Sequence, residues 1–417
     1  MKFLLIFILS FTHSLAFTYT GKLLNSLTLS TLVNAKVFDS NTTVYSDQNG
    51  TFSLQSNQSK IFVKAYGYRP FSISKDDNLS VYKVTPIKVK ALYLNYWGAR
   101  ENSKTFKRIL KAIDETEINS VVIDIKSAYG LTNYKTSYTQ ANAFGIWYQR
   151  NIKDIQSFMN ILKSKNIYTI ARLATFKDEL QAFNHPEYAV KDTNGEIWRN
   201  FDDIAWVDPY DKRSHIYTVS IAKDAAKIGF DEINFDFIRF PARQGLVYSK
   251  ENTQTNRVKA IEDFLFYAKN ELKQYGVFIS VDTYGLLCWN KDDSGIGQTL
   301  KGLSKHSDYI SPMLYPSGFT SEYFKVQYPS DHPHMVIHKS INNIVDEIDP
   351  KRLRPWLQHF KDYAHTKRFY SKKDISEQIR ACDDHNTTGW MMWSPSSRYK
   401  QHYFEPTIKD GNLSQSF

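Results

Sequence analysis

The chain has 417 residues, a formal charge of +10 from 53 Lys and Arg against 43 Asp and Glu, and 15% aromatic residues. That length accommodates one large domain and one small one. Two distant cysteines, Cys288 and Cys382, exclude a disulfide-stapled scaffold, so an apolar core must hold the fold. The positive balance suits anionic polymers or envelope surfaces. The basic residues are dispersed, however, without a compact basic motif, which points away from nucleic acid.

Residues 1–16 read as a secretory signal. Lys2 supplies the basic region, Phe3 to Phe11 the apolar core, and Ser14-Leu15-Ala16 a small-x-small cleavage site. The apolar run is too short to span a bilayer, and no other stretch is long and apolar enough. The expectation is an exported chain, periplasmic or secreted, with no stable membrane insertion of its mature form.

Residues 17–86 read as short strands and turns forming a small all-β sandwich. The candidates are Thr18 to Lys22, Ala35 to Asp39, Thr42 to Ser46, Thr51 to Leu54, Lys60 to Ala65 and Phe71 to Ile73, with a turn at Asp47-Gln-Asn-Gly50. Three pieces, Asn34-Ala-Lys-Val37, Ser46-Asp-Gln-Asn-Gly-Thr-Phe52 and Val63-Lys-Ala-Tyr-Gly-Tyr68, carry a resemblance to the carboxypeptidase regulatory-like (transthyretin-like) module. The resemblance implies an accessory role.

From residue 87 to about 405 strands and helices alternate, followed by a tail at 406–417. Eight strands are expected: Ala91–Trp97, Ser120–Lys126, Ile167–Ala174, Asp231–Phe240, Val277–Thr283, Tyr309–Tyr315, Arg354–Gln358 and Gly389–Trp393. Helical patterns fall at Ser103–Thr116, Ile152–Lys165, Ser214–Ile228, Thr255–Tyr275 and Lys373–Asp383, with Gly229 as a stop signal. Eight such alternations fit an α/β fold, a (β/α)8 TIM barrel. Two long connections, Ser127–Asn151 and Thr175–Arg213, follow strands and so belong to the active-site face. Their richness in Tyr, Trp and Asp argues for ordered, functional loops, with Trp198 and Trp206 as the expected exposed rings.

Three strands share one pattern. Glu232, Asn234 and Asp236 fall on one face of Asp231–Phe240; Asp124 and Lys126 share a face, as do Ser280 and Asp282. A single strand-end Asp serves as readily as a cap or turn residue. Three of them, each closing an apolar strand, point to one site at the C-terminal mouth of the barrel.

The motifs INSVVIDIKSAYG (118–130), ARLATFKD (171–178), WVDPY (206–210), GFDEINFDFIRFP (229–241), SVDTYG (280–285), SDYISPMLYP (307–316), RPWLQHF (354–360) and GWMMWSPSSRY (389–399) occur in this order. Together they resemble a bacterial TIM-barrel family assigned to the glycoside hydrolases. The resemblance implies paired-carboxylate hydrolysis of a polysaccharide or envelope glycan, of the retaining kind. Asp236 and Asp282 would be the pair, and Asp124 a third acid or a ligand of a substrate hydroxyl. Arg239, Arg172 and Lys126 each read either as structural ion-pair partners or as holders of an anionic sugar group. Tyr96, Trp206, Tyr315 and Trp393 lie at or beyond strand ends and suit sugar subsites. Asp208 and Gln358 complete the candidate substrate-binding set. The seventh strand ends in Gln358-His359, so a scheme with Glu at that strand does not apply. The eleven histidines show no metal spacing, and there is neither a phosphate-binding glycine loop nor a serine nucleophile elbow. No cofactor and no catalytic metal are therefore expected. The competing reading is a barrel that binds a glycan or envelope partner without turnover.

Five asparagines, Asn41, Asn49, Asn78, Asn386 and Asn412, sit in the pattern Asp-x-Asn-x-Ser/Thr. The pattern resembles the acceptor site of bacterial N-linked glycosylation in exported proteins. The same residue types also build turns.

Overall fold

The protein is described by a computed structural model covering residues 16–77, 79–143 and 150–407. Residues 1–15 of the expected signal, Asn78, Asn412 and the tail from 408 lie outside the described residues. The chain divides into two compact units, Met1–Pro86 and Ile87–Phe417.

The first unit contains strands β1 (Phe17–Asn25), β2 (Lys36–Phe38), β3 (Thr43–Tyr45), β4 (Thr51–Ser56), β5 (Lys60–Lys64), β6 (Phe71–Ser74) and β7 (Val81–Val84). They form two sheets, ordered β4-β1-β7 and β3-β2-β5-β6. Period-two alternation drives this arrangement. In β4, Phe52, Leu54 and Ser56 are buried while Thr51, Ser53 and Gln55 are exposed. Phe52 and Leu54, with Leu23, Val37, Ile61, Val63 and Ile73, belong to one apolar core. The turn before β4 is closed by Asp47, whose Oδ1 accepts from the N–H groups of Asn49 and Thr51 at 2.9 and 2.8 Å. β7 was not among the expected strands. It is four residues long, and Tyr82 and Val84 bury against the core while it runs parallel to β1.

The second unit has parallel strands β8 (Val89–Leu94), β9 (Ser120–Lys126), β10 (Tyr168–Ala174), β11 (Glu232–Asp236), β12 (Phe278–Thr283), β13 (Tyr309–Pro312), β14 (Trp356–Gln358) and β15 (Gly389–Trp393). Their order is β13-β12-β11-β10-β9-β8-β15-β14, and parallel bridges Ile310–Leu353 and Met313–Trp356 bring β13 to β14. The eight strands thus form a TIM-like barrel. Where β15 meets β8, Gly389 has φ +117°, and a Cβ there would lie 1.8 Å from the Val89 carbonyl oxygen. Only glycine permits that approach.

Outer strand faces pack on helices, and the large cluster around Leu92, Ile123, Leu173, Phe235 and Val281 fills that layer. The Lys212–Ile228 helix buries Tyr217, Val219, Ile221, Ala222 and Ala225 and ends at Gly229 in the left-handed region. A separate cluster fills the lumen, including Ala91, Tyr93, Val122, Tyr168, Ile170, Trp356 and Met391.

Several expectations change. β11 stops at Asp236 instead of running to Phe240, because Phe237 turns the chain with φ +49°. A bulge in β9 sets Asp124 opposite Arg172 and Lys126 opposite Leu173, so two residues face one. Lys126 therefore leaves the lumen face that Asp124 keeps. Finally, residues Pro333–Asn342 form a helix where none was expected. Its proline occupies the first turn, where the missing N–H costs nothing.

Candidate active site at the barrel mouth

Lumen-facing side chains form levels along the barrel axis. At the lower level, Glu232 pairs with Arg354 and accepts from the Tyr168 hydroxyl at 2.9 Å; the Arg354 guanidinium lies 4.0 Å from the Tyr309 ring centre. This level is sealed: Glu232 and Arg354 are 0% and 1% exposed. One level up, Asn234 donates to Ser280 Oγ at 3.0 Å and to Asp282 Oδ1 at 2.8 Å. Trp356 Nε1–H donates to the same Asp282 oxygen at 2.7 Å.

At the top, Arg172 gathers the three strand-end aspartates. Its Nη1 pairs with Asp124, its Nη2 with Asp236, and its Nε lies 4.0 Å from Asp282. Strand register explains this. Asp124, Arg172 and Asn234 are paired across β9, β10 and β11, and Asn234 is paired with Ser280 on β12. Asp236 and Asp282 each follow two residues later, on the same face and one step nearer the mouth. The positive φ of Phe237 belongs to this place, and Asp236 Oδ1 accepts from the Phe237 N–H at 2.6 Å. A non-glycine residue in that region costs roughly 1–3 kcal/mol and tends to persist where a site requires it.

Aromatic rings wall the acids. Tyr93 donates to Asp124 and stacks on Trp393 with centroids 3.9 Å apart. Arg172 lies 5.1 Å from the Trp393 ring centre, and Trp356 meets Trp393 edge-on at 5.4 Å. Tyr315, half-buried, continues outward through Phe360 to the exposed Tyr363.

The electrostatics follow from burial. Desolvation, then the nearby Asp236 charge, holds the Asp282 carboxyl well above the usual carboxylate range, against the pull of Arg172. Desolvation also raises Asp124, opposed by Arg172 and the Tyr93 hydroxyl. For Arg172, burial disfavours the charge, yet Asp124 and Asp236 keep it well above its ordinary value. Burial pushes up the Tyr315 hydroxyl too, helped by the charges of Asp282 and Asp236.

The remaining candidates divide. Tyr96 is buried beyond the end of β8 and donates to the Thr132 carbonyl at 3.1 Å; burial pushes its hydroxyl up to about 12. Lys126 sits outside the lumen on Asp178 at 2.7 Å, with its charge over the Tyr217 ring. Asp208 is a loop clamp that accepts from Tyr210 N–H at 2.9 Å and Ser249 N–H at 2.6 Å. Gln358 bonds Ser317 through both its amide groups. Arg239, half-buried, lies 5.1 Å from the Trp206 ring and donates to its neighbour's carbonyl, Phe240 O, at 3.0 Å. Trp206 was expected to be exposed, but it is only 2% exposed and packs edge-on against Phe237. Trp198 is half-buried against the core. The loop rings that reach solvent include Trp97, Tyr129, Phe201, Tyr284, Tyr328, Tyr363 and Phe369, all C-terminal to barrel strands. Tyr93 and Trp356 were missed. Period-two parity held their signal: Trp356 shares a face with Arg354, and Tyr93 shares one with Ala91.

Residues 91–399 match the family described as "Putative glycosyl hydrolase domain". The chain belongs to this family. A hypothetical protein from Ruminiclostridium thermocellum is 34% identical over 46% of this chain and 96% of its own, with a TM-score of 0.41. The PgaB (BpsB) glycoside hydrolase domain from Bordetella bronchiseptica is 13% identical, covers 75% of this chain and 95% of its own, and has a TM-score of 0.54. That likeness concerns the fold. A comparison with curated protein sequences finds no match. Among the described residues, no helix is long and apolar enough to cross a membrane.

Proposed function

We propose that this family member is an exported hydrolase of a polysaccharide or envelope glycan, with its chemistry at the Arg172 cluster. Asp282 serves as the protonated acid that delivers a proton to the leaving glycosidic oxygen. Asp236 serves as the carboxylate facing the anomeric carbon, in a retaining reaction with a covalent intermediate. Arg172 positions both, and Asp124 anchors Arg172 from the far side. The observation that carries the reading is the convergence of three strand-end aspartates on one guanidinium, with Asp282 kept above the ordinary carboxyl range by burial and by Asp236. The exposed rings on the loops after the strands suit stacking along a glycan chain. The first unit takes an accessory role, consistent with its resemblance to the transthyretin-like module, and the signal-like residues 1–16 support export.

A second reading draws on the same ion pairs. Arg172 already occupies an oxygen of both Asp124 and Asp236, as it would in a barrel that binds glycan without turnover. Screening the purified mature chain against envelope glycans and exopolysaccharides, beside Asp236→Asn, separates the two. Reducing ends released by the wild type alone support hydrolysis. Binding without release by either protein supports the second reading. For an active protein, the anomer first formed, read by NMR, reports retention or inversion.

A further inference from the structure

The unexpected helix Pro333–Asn342 carries His334 and His338, four residues apart and so on one face. Asp384, from the connection that leads into β15, closes on them. One ligand atom from each of these three residues lies within 4.8 Å of the others. His334 Nε2 is 2.7 Å from Asp384 Oδ2. The His334 and His338 rings stack at 5.4 Å. His385 lies against His338 at 4.5 Å and donates from Nε2 to the His338 carbonyl oxygen at 3.1 Å. His338 Nδ1 is buried with no hydrogen-bond partner among the described residues.

An ordinary surface ion pair explains only part of this. It accounts for His334 with Asp384, but not for two further imidazoles packed beside it, nor for a buried ring nitrogen left unbonded. Two imidazoles and a carboxylate, with a fourth position open to water, match the donor set that Zn2+ takes. Bonds of about 2.0–2.2 Å place tetrahedral ligand atoms roughly 3.5 Å apart. The three ligand atoms, within 4.8 Å of one another, would have to draw in to that spacing on binding.

We infer that His334, His338 and Asp384 form a divalent metal site of the zinc class, which ties the Pro333–Asn342 helix to the connection entering β15. His385 is a positioning residue that buttresses His338. The site lies apart from the aspartate cluster, because Asp384 precedes its strand at the N-terminal end and the cluster occupies the C-terminal ends. Its role is therefore to brace the barrel, and it takes no part in bond cleavage.

Calorimetric titration of the full mature chain with Zn2+ tests this. About one saturable equivalent per chain is expected, with a rise in melting temperature. His338→Ala and Asp384→Asn should each lose both effects, while His402→Ala, at an exposed histidine elsewhere, should keep them. Asp384→Asn preserves shape and hydrogen bonding, so its loss of binding cannot be blamed on misfolding if its metal-free circular dichroism matches the wild type. Absence of saturable binding in the wild type would overturn the inference. So would binding that survives both substitutions.

Discussion

Two arginines stand inside the same barrel, each against carboxylates, and their surroundings differ. Arg354 meets Glu232 at the lower level, capped by Tyr168 and Tyr309 and shut from solvent. Arg172 meets Asp124 and Asp236 near the mouth, where the Asp236 side chain keeps 11% of its surface open. Glu232 and Asp236 are on the same strand and the same face, four residues apart. A sealed pair can only hold the barrel together, whereas a pair at the mouth can exchange partners with a ligand. Position along the barrel axis, rather than residue type, separates a structural ion pair from a candidate catalytic one.

Removing an acid at the mouth should have the largest effect on activity. Asp282→Asn keeps the shape and removes the transferable proton, so kcat on the hydrolysed glycan should fall by roughly 10^2–10^4-fold. Melting temperature should hold or rise. A fall in melting temperature as large as that of a core mutant would place Asp282 with the structural residues instead.

The complementary change at the lower level should act on stability. Glu232→Gln leaves the buried Arg354 charge uncompensated and should cost about 3–5 kcal/mol in denaturant unfolding. The kcat of the remaining folded protein should stay near the wild-type value. A variant that unfolds like the wild type but loses turnover would mean that the two levels act as one site.

The pH dependence sharpens the contrast. A general acid must carry its proton, so activity should decline as pH rises through the raised pKa of Asp282. Stability runs the same way for this group. A folded-state pKa above the unfolded value means tighter proton binding in the folded state. The contribution is complete below about pH 4, the unfolded value, and is lost as pH climbs through the folded one. Asp282→Asn should flatten that part of the stability curve, measured by urea unfolding at pH values rising from about 4. An unchanged slope would contradict the assignment.

Smaller effects belong to the rim. Tyr363→Ala and Trp97→Ala should each weaken glycan binding by about 1 kcal/mol, read as a several-fold rise in KM with kcat and melting temperature nearly unchanged. Trp206→Ala, by contrast, should cost folding stability, since that ring is buried. The smallest structural effect concerns Asn41, Asn49 and Asn386, all exposed at turns. Asp39 and Asp47 accept from the N–H groups of Asn41 and Asn49, so the acceptor-like pattern also builds these turns. If the chain is exported, as proposed, and glycosylated in its native host, its intact mass exceeds that of the bare chain from residue 17. Equality of the two masses removes the idea without touching the fold.

The sequence by itself determined a great deal here, because its signals are periodic or local. Alternation fixed eight strands and the faces of Asp124, Asp236 and Asp282, and Gly229 fixed the end of its helix. The order of strands and helices fixed the barrel and, with it, the end at which those acids emerge. What only the tertiary structure decided depends on contacts between distant segments or on a backbone irregularity of one residue. The bulge that turns Lys126 out of the lumen breaks the parity on which the reading relied. Trp206 looks like a loop ring until Phe237 and Arg239 cover it. The axial level separating Glu232 from Asp236 depends on where Arg354 and Arg172 arrive from other strands. His334 and His338 acquire a common face only once Pro333–Asn342 is known to be a helix, and Asp384 joins them from 46 residues further along the chain. In each case the deciding partner lies on another segment, and period-two or period-3.6 patterns carry no information about which distant side chain will meet them.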